Sequence, residues 1–133
     1  MDCLFCKIVR GDIPAHRVYE DDRVVAFLDI YPKTKGHTLV IPKAHAETIR
    51  DIRDEDIMHV SLIAKRIAMA MPSVLHNAGV NLLHSSEKAA QQEIPHFHMH
   101  IIPRYLDNQA FSFATKEEPG DLAALAAVLR ISE

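Results

Sequence analysis

The segment "IPHFHMHIIPR", residues 94–104, carries three histidines at alternate positions, His96, His98 and His100. In a β-strand, successive side chains point to opposite faces and the chain rises about 3.3 Å per residue, so these imidazoles would share one face at spacings of about 6.6 Å. The other face would carry three apolar residues, Phe97, Met99 and Ile101. Three histidines in strict alternation favour a functional face over one that merely meets solvent.

Two kinds of chemistry fit three neighbouring imidazoles. They could bind a catalytic metal ion through neutral nitrogens and leave one coordination position for water. Alternatively, one neutral imidazole could attack phosphorus while its neighbours stabilise the phosphoryl oxygens. The residue types alone leave both possibilities open.

A second candidate site is the sequence "CLFC", in which Cys3 and Cys6 are separated by one helical turn. Such a pair is typical of half a structural tetrahedral zinc site. A redox-active cysteine pair usually lies between a strand and a helix. No strand is predicted before Cys3 and Cys6, so zinc binding is favoured over a redox role. His45 follows a predicted strand and is a credible further ligand. The remaining histidines are interpreted as surface or otherwise satisfied polar residues: His16, His59, His76 and His84.

Hydrophobic patterns predict the elements that must position these residues. A turn covers 10–16, and two strands at 23–30 and 37–42 lie close enough to form an antiparallel pair. An amphipathic helix covers 53–71, with Asp54 as its N-cap and with Pro72 ending or kinking it.

Further along the chain, the patterns predict a strand at 79–85, a polar loop at 85–93, and then the histidine strand, closed by Pro103. An irregular segment through 115 precedes a final helix at 119–131 that starts near Asp121. Strands clustered around one long helix indicate an α+β fold.

Bulk composition narrows the class of protein. The 133 residues fit one domain, with 48% apolar and 25% charged residues and a formal charge of −3, which gives no general attraction to nucleic acid or anionic membranes. No apolar run approaches the roughly 18 residues of a membrane span, and no signal peptide is evident, so a cytoplasmic location is expected. Two cysteines alone suit a reducing compartment. Met58, Met69 and Met71 are interpreted as core filler.

Three blocks of the sequence, "CLFCKIVRGDIP", "YEDDRVVAFLDIYPKTKGHTLVIPKAH" and "AAQQEIPHFHMHIIPR", resemble the histidine triad (HIT) superfamily, in its Hint-like branch of small bacterial members with an N-terminal CxxC. The resemblance covers residues 3–105 in order, and the segment 106–133 adds little to it. It implies a single HIT domain over 1–133, with an antiparallel sheet, one long helix and a C-terminal helix. It further implies a homodimer with the long helix at its interface and the sheets continuous across it.

The resemblance also implies that the protein binds a purine nucleotide, with an AMP or GMP moiety. The implied reaction is hydrolysis at the α-phosphate, above all of nucleoside 5′-phosphoramidates. His98 would be the nucleophile and would form a covalent nucleotidyl-imidazole, while His100 and His37 would contact the phosphate. Asp29, which on its own could simply be a turn residue, would hold the ribose hydroxyls. An apolar slot for the base would be formed by Phe5, Phe27 and Ile30.

Carried over from the family, the zinc ligands are Cys3, Cys6, His45 and His96. Zinc would then be structural, because a histidine whose nitrogen donates to zinc cannot also attack phosphorus through it.

Two positions depart from the family pattern. Ser85 stands where many relatives have an amide, which is expected to weaken contact with the nucleotide. Glu93 stands where a serine or threonine is common near the leaving group, and its charge is expected to disfavour anionic leaving groups. Gln92 matches the family as a backbone organiser or phosphate neighbour. The open alternatives are a nucleotidyl transferase, a dinucleoside polyphosphate hydrolase and a non-catalytic nucleotide-binding regulator.

Overall fold

A computed structural model describes residues 2–107 and 116–133 of the chain. The helices are α1 (Leu4–Arg10), α2 (Asp54–Ala70), α3 (Pro72–Leu75) and α4 (Leu122–Leu129). The strands are β1 (Arg17–Glu20), β2 (Val24–Leu28), β3 (Thr38–Pro42), β4 (Gly79–Leu83) and β5 (Met99–Arg104). A short 3-10 turn covers Lys88–Ala90. Of the predicted irregular segment after Pro103, residues 108–115 lie outside the described ranges.

The five strands form one sheet in the order β1-β2-β3-β5-β4, and all neighbours are antiparallel. The α+β fold and the β2–β3 pair are therefore confirmed. All residues of β2 are buried because both faces of the sheet are covered. Val24, Ala26 and Leu28 pack in a core with α2 and α4, whereas Val25 and Phe27 pack against α1. We call these faces the α2 side and the α1 side.

Helix α2 forms because Val60, Ile63 and Ile67 recur at three- and four-residue steps and are fully or almost fully buried on the sheet. The predicted N-cap at Asp54 is wrong by one residue. Arg53 has extended backbone angles and occupies the cap position, without a side-chain capping bond. Asp54 instead begins the helix in an acidic first turn, which the positive end of the helix dipole favours. Pro72 begins α3, as its fixed φ allows, so the predicted interruption is confirmed.

The interpretation of the methionines as core filler holds only for Met71, which is fully buried. Met58 and Met69 are 70% and 71% exposed and share the outer face of α2 with Leu62. By length and composition alone, the run Asp54–Leu75 could cross a membrane. Its inner face packs in the α2-side core, however, and the core helix of a soluble domain passes the same test.

The patterns in the sequence do not predict α1, β1, α3 or the 3-10 turn. Helix α1 has only seven residues, and its ends are fixed by local contacts rather than by a hydrophobic repeat. The Cys3 sulfur accepts a hydrogen bond from the Cys6 N–H, and Gly11 ends the helix with a φ of +83°. At the other end of the chain, the predicted start of α4 is confirmed, because the Asp121 side chain accepts a hydrogen bond from the Ala124 N–H.

The histidine strand begins later and ends later than its alternation predicted. His96 and His98 precede β5, because the Phe97 N–H donates to the Ala46 carbonyl at 2.7 Å instead of pairing with a strand. Pro103, predicted to close the strand, lies within it. The ladder with β3 already ends at Ile101, and Pro103 pairs only with Val80 of β4, so a missing N–H is tolerated there.

Candidate functional site

The three histidines do lie opposite an apolar face. Phe97 and Ile101 are fully buried in the α2-side core, with Met99 packed against it. The opposite side is not solvated either, since His96 is 0% and His98 6% exposed. Phe5 of α1 makes edge contacts with both rings, with centroid distances of 5.9 Å to His96 and 5.2 Å to His98. The imidazoles of His96 and His98 are therefore packed against other side chains rather than exposed to solvent.

His37 is brought to the triad by a tight turn before β3. Its N–H donates to the Thr34 carbonyl at 3.1 Å, and the Thr34 hydroxyl donates to the Pro103 carbonyl at 2.7 Å. Gly36 has a φ of +92°, and a Cβ there would lie 2.5 Å from the Leu75 Cδ1 atom. The turn thus requires glycine for both conformation and space.

A chain of hydrogen bonds fixes the protons of two imidazoles. The Lys33 N–H donates to His37 Nδ1 at 3.0 Å, so neutral His37 carries its proton on Nε2. That Nε2 lies 2.8 Å from His100 Nδ1, which must accept, so His100 in turn carries its proton on Nε2. Burial lowers the pKa of His37 and the pKa of His100 to about 3 each, and both are neutral near pH 7.

His98 has the opposite proton arrangement. Its Nδ1 lies 2.7 Å from the His96 carbonyl, which can only accept, so Nδ1 carries the proton and Nε2 keeps a lone pair. Burial lowers the pKa of His98, which favours this neutral form. Its ring centroid is 4.9 Å from that of His100. The arrangement is a nucleophilic nitrogen beside a histidine that can donate to an oxyanion.

A separate cluster lies at the N-terminal end of the triad. Its members are Cys3, Cys6, His45 and His96, whose ligand atoms all lie within 4.8 Å of one another. The distances from the Cys6 sulfur to the Nδ1 atoms of His45 and His96 are 3.3 and 3.6 Å, and the two Nδ1 atoms are 3.2 Å apart. Tetrahedral zinc with ordinary bond lengths requires ligand separations of about 3.5 Å for S···N and about 3.3 Å for N···N. The donor set therefore fits zinc.

The chemistry of these donors also indicates a cation. His96 Nε2 donates to the Pro42 carbonyl at 2.8 Å, so its Nδ1 lone pair points into the cluster, toward His45. Burial, followed by the neighbouring Cys3 thiol, raises the pKa of Cys6. Bound zinc would remove this cost, because it stabilises thiolates.

The three triad histidines do not converge on one metal. Apart from the Cys₂His₂ cluster, the described residues contain one other group with close ligand atoms, Asp29, His37 and His100. In that group the Lys33 N–H occupies His37 Nδ1, so the nitrogen nearest the other two residues carries a proton and cannot ligate. Among the described residues, the geometry therefore argues against a catalytic metal held by the three triad histidines.

Asp29 and the residues proposed to hold a base lie around the same site. The Asp29 carboxylate accepts a hydrogen bond from the Tyr31 N–H at 2.8 Å, the turn role expected of it, and its other oxygen is 3.7 Å from His37 Nε2. Burial raises the pKa of Asp29. Phe5 and Phe27 are buried edge-to-face at 5.5 Å, whereas Ile30 is 56% exposed at the rim. The roles in ribose and base binding remain predictions.

The loop before the triad contains the other predicted residues. Gln92 bonds only backbone in the contacts described: its amide nitrogen donates to the Glu47 and Ile94 carbonyls and its oxygen accepts from the Glu87 N–H. Glu93 is exposed, and its charge acts on both Asp29 and His98. Ser85 is half-buried. The residue beside it, His84, contacts Phe97 and the His98 carbonyl, and no pattern in the sequence connects His84 with the triad.

Fold and site together define an α+β protein with a buried histidine cluster and a Cys₂His₂ cluster. A family model for the HIT domain matches residues 10–107. "Protein hit" of Bacillus subtilis (strain 168) is 44% identical over 120 residues, which cover 90% of this chain and 83% of the relative. The chain therefore belongs to the HIT family.

Two other relatives bear on the site. The crystal structure of a Zn-bound histidine triad family protein from Mycobacterium smegmatis superposes with a TM-score of 0.88 at 40% identity, over 98% of this chain and 91% of that chain. Adenosine 5′-monophosphoramidase HNT1 of Saccharomyces cerevisiae is 42% identical over 102 residues, which cover 77% of this chain and 62% of the yeast protein.

Proposed function

We propose that this protein binds a purine nucleotide and hydrolyses nucleoside 5′-phosphoramidates at the α-phosphate, with His98 as the nucleophile. The observation that carries the proposal is the fixed proton on His98 Nδ1, which leaves the Nε2 lone pair beside the proton-bearing His100. Membership of the HIT family and the named activity of the yeast relative support the choice of substrate class.

The reaction consists of two displacements. His98 Nε2 forms a bond to phosphorus as the phosphorus–nitrogen bond to the amine breaks, and the amine takes up one proton. Water then attacks phosphorus, the bond to Nε2 breaks, and water gives up one proton, so the overall reaction is hydrolysis. In the intermediate the imidazole is positive, and the His96 carbonyl stabilises this charge through the Nδ1–H.

His100 and His37 support the phosphoryl group. The proton on His100 Nε2 is available to a phosphoryl oxygen, and the bond from His37 keeps it on that nitrogen. Because both rings are neutral near pH 7, His100 stabilises developing charge by hydrogen bonding, and His37 acts through His100. Zinc held by Cys3, Cys6, His45 and His96 would be structural and would fix the N-terminus against the triad.

The test is release of a fluorescent amine from adenosine 5′-phosphoramidate. His98→Ala should lower kcat by at least about 10³-fold, since loss of a covalent nucleophile removes several kcal/mol of transition-state stabilisation. His76→Asn is the matched control: His76 is exposed, lies in a left-handed backbone conformation that asparagine tolerates, and should leave the rate unchanged. A His98→Ala rate within tenfold of wild type would refute the proposal.

We further propose that two copies of the chain associate through α2 and β4. Met58, Leu62 and Met69 form an exposed apolar stripe on α2, and β4 is an edge strand that exposes Val80 and Leu82. Leu62→Glu should shift the protein to monomer in light scattering at micromolar concentration. Val128→Glu, at an apolar residue of α4 that is more exposed than Leu62, is the control and should not. An unchanged mass for Leu62→Glu would contradict this proposal.

A further inference from the structure

His98, the proposed nucleophile, lies just outside the sheet. The ladder of β5 with β3 begins at Met99, and its ladder with β4 begins at His100. In the described part of the chain, His98 therefore belongs to neither ladder, and strand pairing does not hold its carbonyl. Beyond the end of a ladder, fewer backbone hydrogen bonds resist rotation, and a rotation there would displace the His98 ring.

His84, the first residue after β4, holds that carbonyl. Its Nδ1 lies 3.0 Å from the His98 oxygen, and since a carbonyl only accepts, this nitrogen carries the proton. Its Nε2 lies against the Ser86 hydroxyl, which also accepts from the Ile49 N–H at 2.9 Å. The hydroxyl proton therefore points to His84 Nε2. Both nitrogens are engaged, so His84 is not a fourth base for the reaction.

The His84 ring has a second contact with the same segment. It stacks on Phe97 with a centroid distance of 4.1 Å and an interplanar angle of 27°. Phe97 is itself tied down through its N–H to the Ala46 carbonyl. One side chain thus contacts the residue before the nucleophile through its ring face and the nucleophile's own backbone through a hydrogen bond.

We propose that His84 is a positioning residue for His98. By holding the His98 carbonyl, it replaces the missing ladder bond and fixes the backbone from which the Nδ1–H reaches the His96 carbonyl. The aim of Nε2 at phosphorus then depends on His84, although His84 does not touch the reacting atoms. This inference rests on the proposed function, since positioning has a rate to change only if His98 attacks phosphorus.

Two variants separate the hydrogen bond from the stacking. In His84→Asn, the amide nitrogen branches from Cγ as Nδ1 does and can still donate to the His98 carbonyl, but the ring is lost. In His84→Phe, the ring is kept and the donor is lost. We expect His84→Phe to lower kcat by about 10- to 100-fold with KM within threefold, because a misplacement of about 1 Å can cost about 10²-fold. His84→Asn should recover kcat to within about threefold of wild type.

A merely structural role predicts a different result. In that case His84→Asn, which loses the larger packing contact, would be the worse variant, and the melting temperature would follow kcat. A kcat for His84→Phe within threefold of wild type, or a His84→Asn enzyme as slow as His84→Phe, would overturn the proposal. Running His98→Ala in the same assay separates the two ideas, because an active His98→Ala enzyme refutes the proposed function itself.

A measurement without substrate tests the positioning directly. Nitrogen-15 spectra of the imidazoles at pH 8 should show His98 as the single Nδ1–H tautomer in wild type and in His84→Asn. In His84→Phe they should show mixed tautomers, since a moved backbone weakens the bond to the His96 carbonyl. An unchanged single tautomer in His84→Phe would contradict the proposal whatever the substrate proves to be.

Discussion

His96 and His98 are two residues apart in one segment, yet they lie in regions with different chemistry. His96 donates through Nε2 to the Pro42 carbonyl and directs Nδ1 toward two sulfurs and His45. His98 donates through Nδ1 to the His96 carbonyl and keeps Nε2 for another partner. The difference lies in which ring nitrogen a backbone carbonyl occupies. A neutral backbone carbonyl thus sets which ring nitrogen of each histidine keeps its lone pair.

The largest expected effects come from replacing each of these two histidines in turn and measuring both zinc content and kcat. His98→Ala should retain one zinc per chain while losing at least about 10³-fold in kcat. His96→Ala should lose zinc, as should Cys6→Ser, because each removes one of four ligands. Metal content by plasma mass spectrometry and amine release, measured on the same samples, check both halves. Loss of zinc from His98→Ala would show that the two regions are not separate.

Removal of zinc by a chelator should lower the free energy of unfolding before it lowers the reaction rate. If zinc is present at about 1,000 times its dissociation constant, its removal costs about 4 kcal/mol of unfolding free energy. Urea unfolding with and without a strong chelator measures this loss, and Cys6→Ser serves as the control that should show none. At low temperature the chelated protein should keep part of its activity. Instant and complete loss of activity without loss of stability would instead indicate a catalytic metal.

The two buried histidines His37 and His100 predict a pH dependence of the free energy of unfolding. The folded-state pKa of His37 and that of His100 are about 3, below the ordinary value of 6.5, so the unfolded chain binds more protons between these values. Stability should therefore fall as pH drops below about 6.5, by about 1 kcal/mol per histidine between pH 7 and 5.5. His37→Gln should reduce this slope relative to His76→Asn. Equal slopes for the two variants would show that folding does not lower the pKa of His37.

The smallest effect concerns the leaving group. Glu93 acts electrostatically on Asp29 and His98 but is exposed, so its influence is screened. Glu93→Ser should raise the rate on dinucleoside polyphosphates relative to phosphoramidates by roughly fivefold, which corresponds to about 1 kcal/mol. Glu93→Gln, which keeps the size and removes the charge, should give the same ratio. If only Glu93→Ser changes the ratio, size rather than charge is responsible.

Much of the fold follows from local patterns. β2, β3, α2 and the start of α4 were predicted because their apolar periodicity or caps are encoded within each segment. α1 was missed because its Cys3 cap and Gly11 end are single residues without a repeat. The start of β5 was misplaced because the Ala46 carbonyl, distant in sequence, takes the Phe97 N–H.

The site shows the same division. The alternation of the three histidines predicted their common face, but no periodicity connects His84 with His98 or Lys33 with His37. These contacts depend on where strands end and turns close. The family resemblance supplied the ligand set that the structure brings together, but it did not indicate which nitrogen each carbonyl would occupy.

The glycine before His37 limits how this site could be re-engineered. A library that randomises the exposed residues Ile30, Tyr31 and Lys35 to change substrate preference can accept many side chains. At Gly36, any other residue would meet both an unfavourable backbone angle and the end of Leu75. Such a substitution would shift the start of β3 and with it the donor to His100, so variation outside that position should give active enzymes far more often than variation at it.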